Sequence, residues 1–179
     1  MVYSTGCKQI DNQIMLDGRL LNGLPSGHIV TIVENPEEQR DFPKHFLSRI
    51  AFNTQETVWW IDLVNQFVKG STSNIILTCW HNDDWEKFHR LFVDVFKTIH
   101  PSIVVVDNAF AIHEIAYVSK ILEEFQRLCA VGDCLGFFLS YETKPGYWYG
   151  DFGIRNFSSY VIDWDKKKIV YSKVMRIPK

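Results

Sequence analysis

Residues 29–41 have the outline of a phosphate-binding loop. A short apolar run at 29–33 predicts a buried strand, and apolar residues recur at helical spacing from Asp41 onward. Nucleotide-binding α/β proteins hold phosphates at such a junction with the pattern GxxxxGK[ST], whose backbone N–H groups and lysine surround the phosphates. Aligned without a gap, the two glycines, the lysine and the Ser/Thr of this pattern fall on Glu34, Gln39, Arg40 and Asp41. The strand–helix junction of a phosphate loop is predicted, but the glycines, the lysine and the Ser/Thr that bind the phosphates are absent.

Negative charge at this junction opposes phosphate binding. Glu34, Glu37, Glu38 and Asp41 all lie within it, and Arg40 is its one cation. A carboxylate about 4 Å from a phosphate oxygen costs about 4 kcal/mol at an effective dielectric constant of about 20. An energy of this size lowers the affinity for a phosphate roughly a thousandfold. We therefore expect a degenerate nucleotide site with no cofactor bound by this chain.

Apolar runs and amphipathic stretches alternate along the chain. The runs predict strands at 29–33, 57–63, 74–80, 102–107, 135–141, 158–164 and 168–175. The amphipathic stretches predict helices at 41–52, between a cap at Asp83 or Asp84 and Pro101, and at 115–129. A Gly- and aromatic-rich loop is predicted at 142–153. This order predicts an α/β fold with a mostly parallel sheet, helices on both faces and a C-terminal antiparallel hairpin.

Composition limits the class of protein. With 179 residues, 46% of them hydrophobic, the chain is long enough for one globular domain with a substantial core. No apolar run is long enough to span a membrane, and no signal-peptide pattern is present. The four cysteines show no CxxC spacing and the six histidines are scattered, which predicts a reduced intracellular compartment and no metal site.

Charge is unevenly distributed. Residues 144–179 contain eight Lys/Arg and three Asp, a net charge of +5, which leaves −7 on the preceding residues. Two interpretations account for this asymmetry. The protein has two solvated faces of opposite charge, or its carboxy-terminal region binds a polyanion.

Five landmarks occur in a recognisable order. They are STG…ID at 4–11, LPSGHI at 24–29, the strand end Ile61-Asp62, the β-branched run 103–107 and the segment 137–142. Together they resemble the ATPase core of the RecA/RadA recombinase family, and most of all a divergent eukaryotic recombinase paralogue. The resemblance implies one RecA-like core domain over 1–179, with no counterpart of the family's amino-terminal domain.

The resemblance also implies which catalytic positions are lost. The family's catalytic glutamate falls on Val64, and its phosphate-sensing glutamine falls on Glu142. Asp107, at the Walker B position, is the one member of the set that is retained. It is either a relic magnesium ligand or a structural carboxylate that caps the next turn or pairs with Arg40. An ATPase-dead protein with no catalytic residue is expected.

The segment after residue 141 resembles the family's loop that lies against single-stranded DNA. Aromatic residues among cations suit stacking on unpaired bases and attraction to phosphates. A lid over the pocket or a subunit interface would explain the same composition. The candidate DNA-binding residues are Lys144, Tyr147, Trp148, Tyr149 and Arg155.

The carboxy-terminal tail resembles the family segment that caps the ATP of a neighbouring subunit. Lys173 and Arg176 suit a phosphate, and Pro178 matches the cap proline. The family usually has an acidic residue where Arg176 stands. An ordinary solvated strand end is the other interpretation.

The resemblance therefore implies a non-catalytic nuclear subunit of homologous recombination. It would pair with an ATP-binding paralogue, in a heterodimer or a Shu-type complex, and promote or remodel recombinase filaments on single-stranded DNA. ATP and Mg²⁺ would be held by the partner. The alternative is a structural subunit of another assembly of inactive RecA-fold chains, such as the ring of the tRNA-modifying Elongator complex.

Overall fold

The computed structural model describes residues 1–34, 56–63, 74–80, 84–107, 115–144, 147–148 and 150–174. The helices within these ranges are α1 (Lys8–Asp11), α2 (Trp85–Ile99), α3 (Ile115–Val131) and α4 (Asp151–Phe157). The strands are β1 (Val2–Tyr3), β2 (Met15–Leu16), β3 (Arg19–Leu20), β4 (Leu24–Pro25), β5 (Ile29–Glu34), β6 (Val58–Asp62), β7 (Ile75–Cys79), β8 (Ile103–Asp107), β9 (Leu135–Lys144), β10 (Tyr147–Trp148), β11 (Tyr160–Asp163) and β12 (Lys168–Ser172).

One large sheet organises the described part of the chain. Its seven main strands run in the order β12-β11-β5-β9-β8-β6-β7, and β10 adds to the end of β9. All neighbouring pairs from β11 to β7 are parallel, whereas β12 is antiparallel to β11 and β10 is antiparallel to β9. The predicted α/β class and the mostly parallel sheet are confirmed. The predicted helix at 41–52 lies outside the described residues.

Both faces of the sheet are buried. On β5, Val30 and Ile32 belong to one apolar cluster, whereas Ile29 and Val33 belong to another. Because successive side chains of a strand point to opposite faces, the two clusters are the two sides of the sheet. Parallel sheets are stable only with both faces covered, so the continuous apolar runs in the sequence follow from this burial.

The three longer helices cover one face. Phe88, Phe92 and Phe96 lie four residues apart on α2 and all point into this cluster. The ring of Phe92 stacks on Trp59 of β6 at 5.3 Å and lies 5.8 Å from Phe125 of α3. Leu91 of the same helix is 38% exposed, because it lies one residue away from this buried row.

The amino-terminal segment covers the opposite face. Tyr3, Ile10, Ile14 and Leu24 are buried there against the sheet, and α1 is a single turn within this segment. Buried Asp11 accepts hydrogen bonds from Ser4 Oγ (2.6 Å), Thr5 N (2.9 Å) and Thr5 Oγ1 (2.7 Å). The Ser4, Thr5 and Asp11 side chains of the sequence landmark thus fold the segment onto the sheet.

The predicted loop at 142–153 is wrong at both ends. Strand β9 continues to Lys144, and Trp148 of β10 pairs with Glu142. Helix α4 then begins at Asp151, directly after Gly150 with φ 78°. That left-handed conformation is one that glycine adopts without steric cost, so the chain can turn sharply from strand into helix. The glycine thus marks a helix start rather than the middle of a loop.

The termini of α2 follow the sequence signals. Asp84 accepts a 3.0 Å hydrogen bond from Lys87 N, as an N-cap does, and His100 ends the helix at φ 47°, just before Pro101. Among the described residues, no helix is long and apolar enough to cross a membrane.

The packing of Phe92 predicts a large stability effect. We expect Phe92→Ala to lower the free energy of unfolding by about 3–5 kcal/mol, because it leaves a cavity between Trp59 and Phe125. Leu91→Ala is the matched control on the same helix, and it should cost less than about 1 kcal/mol. Urea unfolding monitored by tryptophan fluorescence measures both values. Equal losses for the two variants would contradict this description of the core.

Candidate functional site

The candidate site is the edge of the sheet at which the parallel strands end. In open α/β sheets, ligands bind outside the carboxyl ends of the strands. Four of the parallel strands end on an acidic residue, and β9 carries a fifth near its end. These residues are Glu34 on β5, Asp62 on β6, Asp107 on β8, Glu142 on β9 and Asp163 on β11. We call them the carboxylate edge.

Asp62 and Asp107 form the best-defined part of this edge. They are partners in the parallel register of β6 and β8, and Asp62 is only 1% exposed. The backbone is fixed on both sides, because Leu63 N donates to Asp107 O at 2.5 Å and Trp80 N donates to Asp62 O at 3.1 Å. The two carboxyl groups therefore end neighbouring strands whose backbones are about 4.8 Å apart.

The pKa of Asp107 reflects this environment. Burial is the main cause that raises its pKa, from 3.8 to about 7, and the negative charge of Asp62 adds to the effect. Near neutral pH this carboxyl group is therefore divided between its protonated and ionised forms. Such a group can exchange a proton, but it attracts an anionic ligand in neither form.

Two lysines at this edge already have partners. The turn 164–167 follows β11, so it lies at the carboxylate edge. Lys166 Nζ contacts Asp163 Oδ2 at 2.6 Å, and Lys167 Nζ lies 4.0 Å from the centre of the Trp164 ring. Burial lowers the pKa of Lys167. The sequence does not place these lysines at the edge, because their position depends on the pairing of β11 with β5.

The predicted phosphate-loop residues fall mostly outside the described residues. Glu34 is the last residue of β5, and its backbone is in register with Tyr141 of β9. Gln39, Arg40 and Asp41 lie outside the described ranges, and so does Val64. The alternative in which Arg40 pairs with Asp107 is therefore not tested.

Two of the candidate DNA-binding residues meet at the end of β9. Lys144 Nζ lies 4.3 Å from the centre of the Tyr147 ring, and Tyr147 is 57% exposed. Thr143 Oγ1 donates to Tyr147 O at 3.2 Å, which fixes the backbone of β10. We call Lys144 and Tyr147 the β9–β10 tip. The backbone of Trp148 is paired in β10, but its side chain and Tyr149 lie outside the description.

Arg155 contacts a tyrosine on a different strand. Its guanidinium lies 5.5 Å from the centre of the Tyr171 ring, and Tyr171 OH donates to Arg155 O at 3.0 Å. Lys173 Nζ donates to the carbonyl oxygen of Asn156, the next residue of α4. Thus Arg155 and Lys173, which the sequence assigned to DNA binding and to the partner cap, lie on one surface formed by α4 and β12. Arg176 and Pro178 lie outside the described residues.

Asp62, named in the sequence only as part of the landmark Ile61-Asp62, is the main residue of the site for which no role was predicted. The signal was present, because the strand predicted at 57–63 contains a carboxylate near its end, just as the strand at 102–107 does. Within the described ranges, no three His, Cys, Asp or Glu side chains are grouped so that they could hold a metal ion.

Comparison with protein-family models and with curated proteins found no match to this chain.

The carboxyl pair predicts a specific pH dependence. Between about pH 4 and pH 7 the folded state keeps a proton on Asp107 that the unfolded state loses, so stability falls as pH rises through this window and levels off above it. At about 1.36 kcal/mol per pH unit, this loss is at most about 4 kcal/mol.

The Asp107→Asn variant tests this prediction, because it removes the titrating group and nearly preserves its shape. We expect it to be close to wild type in stability at pH 4 and more stable than wild type at pH 8. Asp94→Asn, on the exposed side of α2, is the control and should keep the wild-type slope. Denaturant unfolding at a series of pH values measures all three. Parallel curves for wild type and Asp107→Asn would contradict the assignment.

Proposed function

We propose that this protein is a non-catalytic, nuclear RecA-like subunit that acts in homologous recombination. It pairs with an ATP-binding recombinase paralogue and promotes or remodels recombinase filaments on single-stranded DNA, and the partner holds the ATP and Mg²⁺. The observation that carries this proposal is the carboxylate edge. A surface that would bind phosphates in an active relative carries acidic residues instead.

The RecA-like identity of the fold is part of the proposal. It is supported by the mostly parallel sheet and by the antiparallel pairing of β11 with β12, in which Tyr160 is in register with Ser172. The strands that bear the phosphate-loop-like and Walker B-like segments, β5 and β8, both pair with β9. Their carboxyl ends are therefore two strand spacings apart, about 10 Å, on the same edge. That arrangement suits one nucleotide site that has lost its function.

The chemistry of the edge argues against an ATPase. Hydrolysis needs backbone N–H groups and a lysine on the phosphates, a metal held between phosphate and carboxylate, and a group that positions water. The Asp62–Asp107 pair supplies carboxyl groups at this edge, and the sequence has Arg40 where a phosphate loop has its lysine. Of the two lysines in the turn after β11, Lys166 is ion-paired and Lys167 lies over an aromatic ring. We therefore infer that the protein acts through a binding surface and not through a catalysed reaction.

Two surfaces support a role on single-stranded DNA. The β9–β10 tip presents an exposed aromatic ring with a cation beside it, which is the combination that stacks on bases and attracts phosphates. On the α4–β12 surface, Arg155 lies over the partly buried ring of Tyr171, and Lys173 contacts the neighbouring Asn156. The proposed cap over the partner's nucleotide consists of Lys173, Arg176 and Pro178. Of these residues, Lys173 is the one that the structure describes.

Calorimetric titration with ATP tests the non-catalytic part of the proposal. We expect the purified chain to show no binding at millimolar ATP, whereas its complex with the paralogue binds through the partner. Phosphate release is measured on the same samples. Strong hydrolysis by the chain alone would overturn the proposal.

Mass spectrometry of proteins that co-purify with the tagged chain from its native cells tests the partner. Recovery of a recombinase or an ATP-binding paralogue is expected. Recovery of tRNA-modification subunits would instead favour the structural role in an Elongator-type ring, and the recombination proposal would be wrong.

The β9–β10 tip predicts a separable effect on DNA. In the heterodimer, Tyr147→Ala should weaken binding to single-stranded DNA by about 1–3 kcal/mol, while Tyr147→Phe retains the stacking ring and most of the affinity. Lys144→Ala should reduce the dependence of log Kd on log salt by about 0.7, because one phosphate contact is lost. Lys168→Ala, an exposed lysine on β12, is the control. Fluorescence anisotropy over a salt series measures these values, and wild-type affinity in Tyr147→Ala would exclude the tip from DNA contact.

A further inference from the structure

Two cysteines lie side by side where α3 turns into β9. Cys129 and Cys134 are both 0% exposed, and their sulfur atoms are 3.8 Å apart. Both are free thiols, and the Cys134 thiol donates a hydrogen bond to the sulfur of Cys129. Their spacing of five residues is not a CxxC motif, so the sequence alone does not predict that they meet. The turn between helix and strand brings this pair together.

The backbone of the turn fixes the separation of the pair. Cys134 N donates to Cys129 O at 2.9 Å, and Gly132 N donates to Leu128 O at 2.8 Å. Asp133 reverses the chain in the left-handed conformation, with φ 50°. These contacts hold both cysteine side chains on the inner side of the turn. A disulfide requires an S–S distance of about 2.05 Å, so each sulfur needs to move by about 0.9 Å.

The surroundings leave room for the sulfur of Cys129. It packs against Gly136 of β9, where an added Cβ would lie 2.9 Å from the sulfur and 2.9 Å from the ring of Phe125. The glycine therefore leaves the space that the thiol occupies. The nearby turn lies at the surface, since Val131 is 77% exposed.

We propose that Cys129 and Cys134 form a reversible dithiol–disulfide couple in the folded protein. The oxidant is a small disulfide such as oxidised glutathione. The thiolate of one cysteine attacks it, releases one glutathione thiol and forms a mixed disulfide. The second thiolate then attacks the protein sulfur of that mixed disulfide and releases the second glutathione. Two protein S–H bonds and one oxidant S–S bond are replaced by one protein S–S bond and two glutathione thiols.

Burial controls the rate of this reaction. Burial raises the pKa of the Cys129 thiol, and the hydrogen bond from Cys134 acts in the same direction. The reactive thiolate is therefore scarce in the closed state, and the reaction proceeds through opening of the last turn of α3. The couple is thus slow to oxidise, and its disulfide is shielded from reductants once the turn closes.

The disulfide would affect a hydrogen bond at the amino-terminal ends of β5 and β9. Cys134 O accepts a 2.9 Å hydrogen bond from Gly27 N, which leads into β5. A cross-link restricts opening of the α3–β9 turn and so holds this hydrogen bond closed for longer. Exchange of the Gly27 amide with deuterated water therefore reports the state of the couple.

The test uses a Cys7→Ser/Cys79→Ser variant, because it leaves only the buried pair. The folded variant is incubated with oxidised glutathione, then denatured and alkylated. We expect a mass lower by about 2 Da, loss of both alkylation sites and a peptide that links Cys129 to Cys134. Dithiothreitol should restore both sites. The oxidised form should show a higher Tm and slower exchange at Gly27.

A matched control removes one member of the pair. Adding Cys134→Ser to the same variant should leave a single thiol, which forms a mixed disulfide with glutathione. The mass loss of about 2 Da should then be absent. Three results would overturn the proposal: two alkylated thiols after prolonged oxidation, a link only between different molecules, or an intramolecular link that forms only with loss of the cooperative unfolding transition. A link with retained cooperativity supports it. The proposal does not depend on the function proposed above.

Discussion

The parallel pairing of β9 with both β5 and β8 is the constraint on which the rest of the structure depends. Strand β9 lies in the middle of the sheet, so each of its side chains points into one apolar layer or the other until the strand extends beyond the sheet. A parallel sheet needs cover on both faces. Helices α2, α3 and α4 supply one cover, and the amino-terminal segment supplies the other. The hydrogen bonds of Asp11 matter for this reason, because they shape the short segment whose apolar side chains cover this face of the sheet.

The same pairing creates the carboxylate edge. Because the parallel strands end together, residues far apart in the chain become neighbours, and Asp62 comes to lie beside Asp107. The resulting repulsion and burial are unfavourable for the fold, as the raised pKa of Asp107 shows. The apolar clusters do not include these side chains, so the core remains intact while the edge changes. The residues at this edge can therefore change without loss of the fold.

The strands and longer helices could be predicted from the sequence because each depends mainly on its own residues. The run at 102–107 is β-branched and buried, and α2 has an N-cap at one end and a proline after the other. Three features depend on contacts that no local pattern reveals. Strand β9 reaches Lys144 because β10 pairs with it, α4 forms after the turn at Gly150, and Leu91 is exposed because the α2 row that faces the sheet is narrow. Likewise, the Asp62–Asp107 pair could not be predicted without the register of β6 and β8. The Cys129–Cys134 pair could not be predicted without the turn between α3 and β9.

The cysteine pair and Asp107 lie at opposite edges of the same sheet. Cys134 comes just before β9, at the edge where the parallel strands begin, whereas Asp107 ends β8, the neighbour of β9, at the carboxylate edge. Oxidation at the beginning of β9 acts on the α3 turn and on Gly27, and titration of Asp107 acts on the ends of β6 and β8. The sheet between them is well packed, with Phe137 and Phe138 both 0% exposed. Because the two sites lie at opposite edges of the sheet, we expect the redox and pH responses to be independent properties of one fold.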